Sequence, residues 1–198
     1  MPREARTLTR DDLISIEDYK VIRTEKRAEN VARKRVRQIA VGPYVTVTFE
    51  SWDSMWLQVQ DMLYIEKGGD AQIEDELTAY RSMIPDGGKL TATLMFEVDD
   101  RNRRAALLGS LGGMENTITL EFDGHTVRAQ PEGDTARSTP GGKTSAVHFL
   151  HFPFTPDQIN AFAKPDTRVT FVIGHEGYSH MTVLTDAMRA ELAQDLDL

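Results

Sequence analysis

The sequence predicts an α+β fold: a mainly antiparallel sheet with one face packed by several helices, and a long helix at the N-terminus. Three observations predict it. Residues 49–67, "FESWDSMWLQVQDMLYIEK", place Trp52, Met55, Trp56, Val59, Met62 and Leu63 on one stripe at about 100° per residue. Short runs rich in threonine, valine and phenylalanine stand between such helical stretches. Asp123-Gly124, between "NTITLEF" and "HTVRAQ", is a tight hairpin signal. Helices interspersed with hairpin-like strands are the α+β pattern.

Taken in order, Thr9 or Ser15 caps a first helix that runs to about Ile39, and Ser15-x-x-Asp18 has capping-box spacing. Val21, Ile22, Ala28, Ala32, Val36 and Ile39 form an apolar arc on it; Lys20, Arg23, Lys26, Arg27, Arg33, Lys34 and Arg37 fill most of the opposite arc. "GPYVTVTFE" is a strand leading into the striped helix, which Gly68-Gly69 ends; Asp70 caps the next helix through Ile73, Leu77 and Tyr80. "PDGGK" is a turn, "KLTATLMFEV" a strand, and residues 100–112 a helix. After the Asp123-Gly124 hairpin, residues 130–145 read as a mobile loop rich in Gly, Pro, Ser and Thr. Strand "AVHFLHFPF", a helix started by Thr155-Pro156, strand "RVTFVIG" and a helix after Thr185 complete the chain. The expectation is one domain over 1–198, with a basic helical arm (1–40) and an acidic α+β body (41–198).

Size and composition narrow the function. The 198 residues suit a single core, and 40% hydrophobic with 27% charged residues is ordinary for a globular protein. There is no cysteine, which removes disulfides, thiolate nucleophiles, zinc–thiolate sites and the usual iron–sulfur ligation. No apolar run approaches the roughly 20 residues of a membrane span, and the N-terminus lacks a signal-peptide core; a cytoplasmic location is expected. Net charge is −8, unevenly placed: residues 1–40 carry 11 Lys/Arg against seven Asp/Glu, the remainder 12 against 24.

Three strands share a pattern, Thr46-x-Thr48-x-Glu50, Thr91-x-Thr93 with Glu97, and Thr117-x-Thr119-x-Glu121, each with an apolar alternate face. The polar face is expected to meet solvent or, if the strands are neighbours, to form a carboxylate-rich surface for a cation or basic partner. Glu66 continues the apolar stripe of residues 52–63. It is expected to snorkel at the core's edge or to pair with a basic residue of the first helix; the functional alternative is a partly buried carboxylate carrying protons or a metal. Asp61 points away from the stripe and is expected to be solvated, while Gln58 and Gln60 flank it and serve backbone groups.

His148 and His151 are three apart and fall on opposite faces of a strand. His175, Glu176 and His180 lie around Gly174 and Gly177, where a bend would gather two imidazoles and a carboxylate suited to zinc or ferrous iron; a metal-free polar turn explains the same string and is preferred. "GGKTS" is no phosphate loop, because Arg137 stands where glycine is needed. The basic arc could neutralise nucleic-acid phosphates, yet the acidic body and missing aromatic interleaving disfavour that. It is expected instead to dock on the protein's own acidic surface, on a second copy, or on an acidic partner.

"VGPYVTVTFE", "QVQDMLYIEK", "IEDELTAY", "IPDGGKLTATLMFEV" and "GHEGYSH…MRAELAQDL" together resemble a bacterial family catalogued as domain of unknown function 3501, from about Leu13 to the C-terminus. Gly42, Pro43, Phe49, Glu50, Gln60, Met62, Glu66, Glu76, Tyr80, Pro85, Thr93 and Glu97 match its pattern, whereas Asp61 and Lys89 stand where glutamate is usual. The resemblance implies context: members are often encoded beside rubrerythrin-like and heterodisulfide-reductase-like iron–sulfur proteins. The chain is therefore expected to be a non-catalytic accessory protein with no cofactor of its own, docking on such a redox partner through Lys20, Arg23, Lys26, Arg27 and Lys34. The alternatives are a metal-dependent or acid/base enzyme using Glu50, Glu66, Glu97 or the His175–His180 turn, and a nucleic-acid binder.

Overall fold

A computed structural model describes residues 6–132 and 142–197. In chain order the elements are α1 (Ile16–Lys34), β1 (Gln38–Val41), β2 (Val45–Phe49), α2 (Trp52–Glu66), α3 (Asp70–Arg81), β3 (Lys89–Phe96), α4 (Arg101–Gly109), β4 (Ile118–Phe122), β5 (His125–Arg128), β6 (Gln130–Pro131), β7 (Val147–Pro153), α5 (Pro156–Ala163), β8 (Thr170–His175), β9 (Tyr178–Val183) and α6 (Asp186–Ala193). The fold is α+β, and among the described residues these strands all pair antiparallel.

The strands divide into a five-stranded sheet, ordered β1-β2-β3-β7-β6, and a four-stranded sheet, ordered β5-β4-β8-β9. Their apolar faces pack together: Val47, Phe49, Leu94 and Phe152 from the first meet Leu120, Phe171 and Ile173 from the second in one buried cluster. Phe49, Phe152 and Phe171 lie with ring centroids 6.0–6.4 Å apart, and burying each such ring stabilises by roughly 1.5–3 kcal/mol. Along one side the sheets are stitched by polar bonds. Tyr178 donates its hydroxyl to the Val41 carbonyl at 2.8 Å and accepts from the Tyr44 amide at 3.0 Å, while the Thr182 hydroxyl donates to the Ala40 carbonyl at 2.7 Å. Gly42, at φ 70°, runs so close to the His180 ring that a Cβ there would come within 2.6 Å of it.

A second, smaller core lies outside the five-stranded sheet, where Leu8, Met55, Val59, Leu63, Leu77, Met83 and Ile84 join α2, α3 and the N-terminal arm over Phe149 of β7. The threonine-rich face of β2 and β3 is thus largely covered rather than solvated: Thr48 and Thr91 are buried, and Thr91 donates to the Met83 carbonyl at 2.6 Å. Thr117 belongs to a 3-10 turn, so the third repeat of the pattern begins in a turn and continues in the other sheet.

The first helix differs most from the expectation. Both caps are used, Thr9 by a 3-10 turn (Arg10–Asp12) and Ser15 by α1, whose Asp18 amide donates to the Ser15 hydroxyl at 3.1 Å. α1 ends at Lys34, not Ile39, because residues 38–41 pair with β2 as a hairpin. β9 adds a strand where the sequence reading has none, with Tyr178, His180, Thr182 and Leu184 alternating with exposed residues. The expected loop at 130–145 is structured at its edges, since Gln130–Pro131 pairs with β7 and Thr144 is buried; residues 133–141 of it lie outside the described residues.

Candidate functional site

The helical layer holds most of the residues that the sequence singles out, and its wiring begins at Asp61. α1 and α2 run antiparallel, so Asp61, the sole charge between Asp53 and Glu66, lies beneath Tyr19, Arg23 and Arg27. Its side chain is only 18% exposed. It accepts from the Tyr19 hydroxyl at 2.9 Å, from Arg23 Nε at 2.7 Å and from Arg27 Nη1 at 3.3 Å. Burial, reinforced by the Asp61 hydrogen bond, pushes the Tyr19 hydroxyl above the usual tyrosine range. The Asp61 hydrogen bond holds the Arg23 guanidinium above its ordinary value against the opposing effect of desolvation. That guanidinium also lies 4.9 Å from the Tyr64 ring. Farther along, Arg33 pairs with Asp53 at 3.3 Å. Asp61, rather than Glu66, therefore makes the pairing with the first helix that the sequence assigned to Glu66, and it is not solvated.

Glu66 is exposed instead. The apolar layer stops at Leu63, Lys67 takes a left-handed conformation at φ 56°, and Glu66 accepts from Gln72 Nε2 at 2.7 Å across the turn into α3. Gln60 is fully buried and bonds the Ile14 amide at 3.0 Å through its side-chain oxygen, serving backbone as expected. Trp52 and Trp56 stack at 6.5 Å, and their indole N–H groups donate to the Thr7 and Asp12 carbonyls, tying the arm down. Between them and Asn30 lies a cleft of about 280 Å³.

Of the five cations assigned to a docking surface, Arg23 and Arg27 are engaged by Asp61, and Lys26 pairs with Glu29 at 2.9 Å within its own helix. Lys20 and Lys34 are exposed. Arg37, in the same arc, is 2% exposed; it donates Nη1 to the Glu50 carbonyl and forms ion pairs with Asp195 at 2.7 Å and Glu191 at 3.1 Å. Desolvation opposes its charge, the two carboxylates outweigh that, and its pKa is raised. Arg6 joins the same C-terminal segment through the Asp195 carbonyl and the Asp197 carboxylate. Arg6, Arg23, Arg27, Arg33 and Arg37 therefore tie the arm to the rest of the fold, while Lys20 and Lys34 stay in solvent.

With Tyr19, Arg23 and Arg33 set against α2, α1 turns its other face out. Val21 is 81% and Val31 60% exposed, and Thr24, Ala28 and Ala32 are exposed between them.

The proposed chemical residues are dispersed. Glu50, at the end of β2, is 8% exposed and accepts from the Thr93 hydroxyl at 2.6 Å and the Ser54 hydroxyl at 2.7 Å, one on each carboxylate oxygen. Glu97 is exposed and accepts from Thr46. Glu176-Gly177 is the two-residue turn between β8 and β9. His175 Nδ1 accepts there from the Gly177 amide at 3.1 Å, whereas His180 packs on Tyr178 at 4.4 Å. Among the described residues, no three His, Asp or Glu side chains come together as a metal-holding group, so the bend does not gather His175, Glu176 and His180. His148 and His151 do occupy opposite faces, and burial, with Lys89 adding, lowers the His151 pKa.

The family described as protein of unknown function (DUF3501) matches residues 7–196. The chain belongs to it. A crystal structure described as a novel protein of unknown function from Burkholderia pseudomallei K96243 is 34% identical and superposes with a TM-score of 0.89, covering 96% of this chain and all of that one. No curated protein matches the chain. Among the described residues, no helix of this DUF3501 protein is long and apolar enough to cross a membrane.

Proposed function

We propose that this DUF3501 protein acts by binding rather than by catalysis, as an accessory to a redox system, with the outward face of α1 as its docking surface. The observation that carries this reading is the orientation of α1. A helix usually buries its apolar stripe and solvates its cations; here Arg23, Arg27 and Arg33 are held by α2 while Val21 and Val31 stand in solvent. Apolar surface left exposed in this way favours a covering partner. The partner class, a rubrerythrin-like protein or an iron–sulfur oxidoreductase, comes from the family context that the resemblance implies. A chain without cysteine would serve such a cluster from outside it.

The test is binding between the purified protein and a rubrerythrin-like or iron–sulfur protein encoded beside it in the same genome. Saturable binding that is lost in Val21→Glu/Val31→Glu, but kept in Glu50→Gln, supports the reading. Absence of binding at tens of micromolar, or binding that ignores the Val21/Val31 change, overturns it.

A further inference from the structure

We infer that the outward face of α1 is self-complementary and pairs antiparallel with α1 of a second copy of this chain. The inference rests on the reading that this face docks proteins, and it names the occupant. Five residues describe the face: Glu17, Val21, Thr24, Val31 and Arg35, all exposed. Glu17 and Arg35 are separated by about five turns at 3.6 residues per turn, so they point the same way from opposite ends of the helix. Among the described residues neither side chain has an ion-pair or hydrogen-bond partner within the chain.

Place a two-fold axis level with residue 26, perpendicular to α1. Residue 17 then falls at the height of residue 35 of the other copy, 21 at the height of 31, and 24 at the height of 28. Each end of the pair gains a Glu17–Arg35 contact between copies, the valines close beside each other, and Thr24 with Ala28 keeps the middle thin enough for the backbones to approach. A parallel pairing would set Glu17 against Glu17 and Arg35 against Arg35. The antiparallel arrangement is isologous, the form that closes at two copies rather than growing into a filament. Glu25 lies at the rim, where it stays solvated. One helix pair about 28 Å long makes a small contact, so the dimer is expected to dissociate on dilution and to yield the face to a stronger partner.

Because the chain has no cysteine, single cysteines report the geometry cleanly. Glu17→Cys and Arg35→Cys are prepared as separate proteins and oxidised alone and mixed, and sedimentation of the wild type is followed against concentration. The expected result is a disulfide dimer in the mixture only, with wild type moving from 22.3 kDa toward twice that mass. Val21→Glu/Val31→Glu should stay at the monomer mass, and the double reversal Glu17→Arg/Arg35→Glu should dimerise where either single reversal weakens it. Cross-linking of Glu17→Cys to itself, or a wild type that remains monomeric at 100 μM, overturns the pairing. Should the wild type be monomeric while Val21→Glu/Val31→Glu still abolishes binding of the redox protein, the dimer falls and the docking face stands. A dimer whose redox partner ignores the same change retains the pairing and removes the other reading.

Discussion

α1 and α2 lie side by side and are built on opposite rules. α2 buries Met55, Val59 and Leu63 against α3 and the sheet and leaves Glu66 in solvent. α1 is fixed through Tyr19, Arg23, Arg27 and Arg33, and leaves Val21 and Val31 outside. Both helices are amphipathic, yet only in α2 does the apolar side mark the inside. Periodicity identifies that a helix has two faces; what the neighbouring element offers decides which one turns inward. Asp61 and Asp53, set along α2 opposite the arm's arginines, decide it here.

Substitutions can break or sharpen this contrast, and the largest effect is expected where a cation is most completely enclosed. Arg37→Ala strands the Asp195 and Glu191 carboxylates near a closed site and should cost about 3–5 kcal/mol in chemical denaturation. Leu63→Ala, on the conventional helix, removes a buried apolar side chain and should cost about 2–3 kcal/mol. Tyr19→Phe deletes the hydroxyl bond to Asp61, worth about 1 kcal/mol. It should also act at high pH. The Tyr19 pKa is raised in the fold, so its contribution is complete below the unfolded value of about 10 and is lost as pH rises beyond it. Denaturation between pH 8 and 11 should show a shallower decline in Tyr19→Phe than in wild type. His151 works at the other end of the scale: its pKa is lowered, so stability should fall as pH drops below about 6.5, less so in His151→Gln. The smallest effect belongs to Val21→Ala or Val31→Ala, each within about 0.5 kcal/mol of wild type in a dilute melt.

Much of the architecture was legible because local signals and burial agreed. The α2 stripe, the Thr155 cap and the Asp123-Gly124 hairpin, with φ of 45° and 76° at its turn, all stand where their residues place them. The strands β1 and β9 were not legible, since each is an edge strand whose alternation only gains meaning beside its neighbour. The same holds for the site. Glu66 continued a real stripe, but the helix cap at Lys67 ends the layer one turn too early for it to be buried. The angle of Asp61 on α2 alone points it to solvent; its partners come from a helix roughly forty residues away, and pairing across helices leaves no local period. A lone charge in the apolar run of residues 54–65 was the available signal.

The most direct measurement is a pair of thermal melts at sub-micromolar concentration, where self-association contributes nothing. One sample carries Arg23→Glu/Arg27→Glu and the other Val21→Glu/Val31→Glu. If α1 is mounted by its cations on Asp61, the arginine reversals should melt several degrees below wild type and the valine changes should melt with it. The opposite order, with Val21 and Val31 needed for stability and Arg23 and Arg27 dispensable, would mean that the apolar arc is the buried one and would contradict the account.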